Sequence, residues 1–122
     1  MEVLSSPPVN DGANVEPGVH PARLARVVSF SNSYGPRIGF VFALDGEQTP
    51  GVTITRATSP RLSEASKLAE TIEGLTGQKL TASQIEEGID FDDLVGLRCR
   101  LLVLPGQNKS GKMFANVERV FQ

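Results

Sequence analysis

Large apolar side chains occupy every second position from Ile38 to Leu44, with Phe40 and Phe42 between them and Arg37, Gly39, Val41 and Ala43 alternating. A period of two puts the large residues on one face of a β-strand. Strand-like stretches rich in Val, Ile, Phe or Thr flank this one, at Ala22 to Phe30 and at Gly51 to Ala57. In the latter, Val52 and Ile54 are expected to point inward and Thr53 and Thr55 outward, giving a sheet with one buried face. Asn32, Ser33, Gly35 and Pro36 separate the first two stretches, and Asp45, Gly46, Pro50 and Gly51 the next two. That is the chemistry of short hairpin connections.

The period changes after Pro60. Leu62, Ala65, Leu68, Ala69, Ile72 and Leu75 recur at three- and four-residue spacing, which predicts an amphipathic helix over Ser63 to Thr76. Ser63 is the expected N-cap, Glu64 suits the positive end of the helix dipole, and Gly77 suits a left-handed C-cap. Residues 78 to 95 are acidic and irregular, with a short helical turn expected near Ser83 to Glu87 and with Ile85, Phe91 and Leu94 pinning the segment to the core. Alternation returns at Leu97, Cys99, Leu101 and Val103, before Pro105. A last strand is predicted from Lys112 to Phe121, with Met113, Ala115 and Val117 on one face and Phe114, Asn116 and Glu118 on the other.

Three strands, a helix and two strands form the order of the oligonucleotide/oligosaccharide-binding (OB) fold, a five-stranded barrel that commonly holds its ligand on strands 2 and 3 and loops 1-2 and 4-5. The expected class is therefore all-β with one helix, between strands 3 and 4. The domain would cover residues 20–122. Residues 1–19, with Pro7, Pro8, Pro17, Gly12 and Gly18 and few apolar side chains, are expected to be a flexible tail.

The chain of 122 residues has room for one ordinary domain, and its net charge of −2 gives no general attraction to nucleic acid or membrane. The charges are unevenly placed, however. Residues 20–62 carry +3 and residues 94–122 carry +4, whereas residues 63–93 carry −6 and residues 1–19 carry −3. Basic strands beside an acidic helical insert fit a barrel that meets phosphates on one side, and equally a solvated surface whose arginines protect strand edges. No apolar run is long enough to span a membrane and Met1 to Pro8 lacks the pattern of a signal peptide, so a cytoplasmic location without membrane partners is expected.

Catalytic and metal chemistry find few of their usual residues. One cysteine, Cys99, and one histidine, His20, leave no intrachain disulfide, no Cys-rich zinc site and no two-His motif. Cys99 alternates with arginines on a strand whose other inward residues are apolar, which points to a buried inert thiol. Gly106 to Lys112 spells the G-x-x-x-x-G-K of a phosphate-binding loop, but Met113 stands where Ser or Thr would hold magnesium and a strand follows instead of a helix. The pairs Glu86 and Glu87, and Asp92 and Asp93, lie in a solvated connection. No enzyme activity, cofactor or metal is expected.

The run Ser33 to Phe42, the Thr58 to Ser63 segment leading into the helix, and Asp93 to Gly96 before the fourth strand resemble the small single-stranded DNA-binding-like OB proteins of phages and bacterial mobile elements. The chain departs from well-known bacterial single-strand binders in having neither a Trp nor an acidic partner-binding end. The resemblance implies binding of single-stranded DNA with little sequence preference, in replication or recombination. Partners from those processes and self-association would accompany it. On that reading Arg37, Arg56, Lys109 and Lys112 contact phosphates, Tyr34 and Phe114 stack on bases, and Thr53, Thr55 and Asn116 hydrogen-bond on the sheet face. The rival reading is a protein-interaction OB module or a structural subunit of a phage or mobile-element assembly, using a sheet edge or the Phe114 and Phe121 surface.

Overall fold

The computed structural model describes residues 1–8, 15–46, 51–107, 110–111 and 113–122. Its strands are β1 (Glu2–Val3), β2 (Gly18–Asn32), β3 (Gly35–Leu44), β4 (Thr53–Thr58), β5 (Arg98–Gln107) and β6 (Met113–Phe121). Between β4 and β5 lie the helices α1 (Lys67–Thr76) and α2 (Ala82–Glu87) and a 3-10 turn at Phe91–Leu94. The sheet runs β4-β3-β2-β5-β6 with antiparallel neighbours, and β1 joins β2 in parallel. The domain is therefore mostly antiparallel β-sheet with few helices.

The central strand β2 is long enough to serve three neighbours. It pairs with β5 through Gly18–Arg23 and with β3 through Ala22–Asn32. Where β5 has turned away, β1 takes up the free side at Val28 and Ser29. Ile38, Phe40, Phe42 and Leu44 of β3 enter the main core as their alternation requires, beside Leu24, Ile54, Leu101 and Val103.

Helix α1 covers this core with Leu68, Ala69, Ile72 and Leu75. It begins later than the spacing predicts. Ser66, not Ser63, is the N-cap: its Oγ accepts the Ala69 N–H and also the Ser63 N–H, so residues 63–66 form a turn before the helix. Gly77 ends the helix in the left-handed region at φ 72, as expected. In α2, Thr81 Oγ1 accepts the Gln84 N–H while Gln84 Oε1 accepts the Thr81 N–H, a capping box that holds six residues without a buried side chain. Leu94 is buried, Ile85 packs on the core, and the Phe91 ring meets Phe40 edge-on with centroids 6.1 Å apart.

Two features correct the sequence-based expectation of five strands after a tail. Glu2–Val3 forms a sixth strand, and Val15 is buried in the main core although residues 1–19 carry little apolar surface. Along the β5–β6 ladder the pairing shifts between Leu102 and Val103 of β5, leaving Glu118 of β6 as an extra residue, so that Val117 and Val120 face the core rather than Val117 and Arg119.

Candidate functional site

Among the described residues no backbone ladder joins the two edge strands β4 and β6, yet one side chain spans them. The register that turns Ile54 inward turns Arg56 inward too, leaving it 8% exposed. Its Nη1 donates to the carbonyls of Val117 and Glu118, each at 2.9 Å, and its Nη2 lies 3.5 Å from Glu70 Oε1 on α1. Successive carbonyls of a regular strand point opposite ways; the bulge at Glu118 lets two of them meet one guanidinium. Burial pulls the Arg56 guanidinium below its ordinary value, opposed by the charges of Glu70 and Glu118.

Two grooves flank this link and share Arg37, Ala57, Thr58 and Lys67. The first, about 320 Å³, runs between β4 and β6 and also includes Thr55, Arg56, Asn116 and Glu118. The second, about 470 Å³, continues past the end of β4 to Arg61, Ser63 and Ser66. Arg37, Arg61 and Lys67 bring three cations to the second groove, and no described carboxylate lines it. Lys67 Nζ lies 3.8 Å from Glu70 Oε2, a distance at which an exposed pair remains available to other anions. The groove can therefore hold an anion, with serine and threonine hydroxyls able to hydrogen-bond to it.

Four of the expected contact residues, Arg37, Thr55, Arg56 and Asn116, thus meet in one groove. Their states differ. Arg37 is half-buried with Nη2 3.5 Å from the Ala57 carbonyl, and Asn116 Nδ2 donates to Glu118 Oε2 at 3.2 Å. Arg56 lines the groove with its Nη1 turned to backbone carbonyls and its Nη2 to Glu70. Thr53 is half-buried at the start of β4, opposite Ala43. Tyr34 is 76% exposed in the β2–β3 hairpin, where its N–H donates to Asn32 Oδ1.

Phe114 is 44% exposed and lies away from these grooves, with its ring over Gly106 on β5; a Cβ at that glycine would stand 2.6 Å from Phe114 Cζ. With Val15, Pro17, Leu104 and Ala115 it lines a separate depression of about 140 Å³. Lys109 and Lys112 lie outside the described residues. Arg61 and Lys67 escaped the sequence reading, since only the turn after Pro60 brings them beside Arg37. Arg56 could have been recognised as inward from the alternation of Val52, Ile54 and Arg56.

The remaining chemistry-bearing residues have structural places. Cys99 is buried opposite Ala22, and burial, with the Asp45 charge, pushes its thiol up to about 11. His20 Nε2 sits 2.6 Å from the Glu16 carbonyl. Among the described residues no group of His, Cys, Asp and Glu is arranged to hold a metal ion, and no helix is long and apolar enough to cross a membrane. The chain matches no protein-family model, and no curated protein matches it in sequence.

Proposed function

We propose that this chain is an OB-fold module that binds single-stranded DNA with little sequence preference, serving replication or recombination of a phage or mobile element. The observation that carries the reading is the groove where Arg37, Arg61 and Lys67 gather with no described carboxylate. Such a surface attracts a polyanion locally in a chain whose net charge is negative. The strand order supports the fold: β2 to β6 stand as strands 1 to 5 of a partly open barrel whose seam lies between β4 and β6 and is bridged by Arg56. The grooves border β3 and β4, the strands on which that fold commonly holds its ligand.

Three cations set the affinity through phosphate neutralisation, and Tyr34, at the hairpin that leads into β3, supplies a stacking ring. Titration of a fluorescein-labelled oligothymidine at two salt concentrations tests the reading. Binding that weakens steeply with salt is expected. The absence of binding at low salt rejects it.

A second reading, a protein-interaction module, draws on the depression beside Phe114, where Leu104 is also an exposed apolar residue. It gains if low-salt titrations fail while Phe114→Ser alters the sedimentation of the purified protein.

A further inference from the structure

The face of β2 and β3 turned away from the main core carries a second apolar cluster. Val28, Phe30 and Val41 are 0%, 6% and 3% exposed, and Leu4 packs on them. This cluster adjoins the groove residues. Val28 Cγ2, Phe30 Cε1 and Thr55 Cγ2 would stand 3.0, 3.1 and 3.4 Å from a Cβ at Gly39, and Arg37 pairs with Phe30 in the β2–β3 ladder. Thr55 Oγ1 and Arg37 Nε are both shut off from water without a hydrogen-bond partner. Buried polar groups are ordinarily satisfied, so these two stand out beside the cluster.

We propose that Glu2–Leu4 is an autoinhibitory strap beside β2 whose Leu4 caps a base-stacking platform, and that a single strand of DNA displaces it so that a base packs on Phe30. The inference rests on the nucleic-acid reading above and adds its regulation. The strap imitates what it would exclude. The Glu2 carboxylate sits 3.0 Å from Arg26 Nη1, supplying the charge that a phosphate would bring, and Leu4 supplies the apolar bulk of a base. It is also lightly held. Two ladder pairs, the Leu4 N–H donated to the Ser29 carbonyl at 2.7 Å, the exposed Glu2–Arg26 pair and the Met1 ammonium 3.3 Å from Asp92 Oδ1 fasten it beside β2, while Val3 is 79% exposed. Exposed ion pairs contribute little, and so short a strand opens at small cost.

The test uses the full chain and its Leu4→Ser variant, titrated at low salt with labelled oligothymidine, alongside amide exchange of the wild type. If the strap is closed in about nine molecules of ten, Leu4→Ser binds about tenfold more tightly. In the wild type the Leu4 amide should be protected when free and lose that protection at saturating oligothymidine. Equal or weaker binding by the variant, or a Leu4 amide still protected at saturation, overturns the strap while leaving the nucleic-acid reading standing. Failure of both proteins to bind at low salt rejects the two together.

Discussion

Gly74 of α1 rests on the carbonyl of Val120 in β6, so close that a Cβ at this position would stand 2.0 Å from the oxygen. The obstacle is backbone and cannot rotate aside. Replacing an exposed helical glycine by alanine ordinarily stabilises a helix by up to about 1 kcal/mol, but here overpacking should outweigh that gain and cost about 1–3 kcal/mol. Urea melts of Gly74→Ala decide the sign. A stabilised variant would mean that α1 is not seated on β6.

Removing Arg56 should do more damage than removing an ordinary surface arginine. Arg56→Met leaves the carbonyls of Val117 and Glu118 without this donor and Glu70 without this cation. At about 1–3 kcal/mol for a buried group left unsatisfied, a loss of about 2–5 kcal/mol is expected in denaturant melts. A loss below about 0.5 kcal/mol, the range of neutral surface changes, would show that the link between β4 and β6 is dispensable.

Cys99 makes stability depend on alkaline pH. Its folded-state pKa is raised to about 11 from an ordinary 9.0, so the unfolded chain releases the proton first. The contribution is fully present below pH 9 and is lost as pH rises towards 11, at about 1.4 kcal/mol per unit where only the unfolded form is ionised. Cys99→Ala should lack this component of the slope when the two proteins are melted in parallel between pH 8 and pH 11.

The cationic groove makes a separable prediction from the stacking ring. Arg37→Ala, Arg61→Ala and Lys67→Ala should each weaken oligothymidine binding and flatten the slope of log affinity against log salt by about 0.7, as a lost single-strand phosphate contact does. Arg98→Ala, on β5 outside the grooves, controls for net charge and should change both far less. Equal effects at Arg98 and Arg37 would put the binding surface elsewhere.

Tyr34→Ala should reduce binding by about 1–3 kcal/mol without changing the salt slope, because stacking releases no counterions. Titrations at several salt concentrations separate the two effects. A flattened slope would assign Tyr34 to positioning nearby cations instead.

The hydrophobic pattern made the main elements legible wherever a long run had a single period. Ile38 to Leu44 reads as a strand because its largest side chains fall at every second position, although Val41 between them is also apolar and buried on the other face, and Leu68 to Leu75 reads as a helix face by its three- and four-residue spacing. The helix start was ambiguous because Leu62 and Ala65 continue the three- and four-residue spacing through a turn, and Ser63 and Ser66 are chemically equivalent caps. β1 has two residues, too few for any period, and pairing with β2 is a tertiary event. The bulge at Glu118 leaves no mark in local composition. At the candidate site, Arg37, Thr55 and Asn116 were recognised by residue type and strand position, but their association with Arg61 and Lys67 depends on how the chain leaves β4.

An open sheet has two edges, and an edge is a template on which another chain can add a strand. Along the main strand order of this protein those edges are β4 and β6, with the short β1 beside β2, and the Arg56 side chain links β4 to β6. A single guanidinium is thereby expected to guard the molecule against edge-to-edge association as well as against unfolding. Chains lacking it should lose solubility at concentrations where their strand content is still intact, because two freed edges need only find each other in a second molecule.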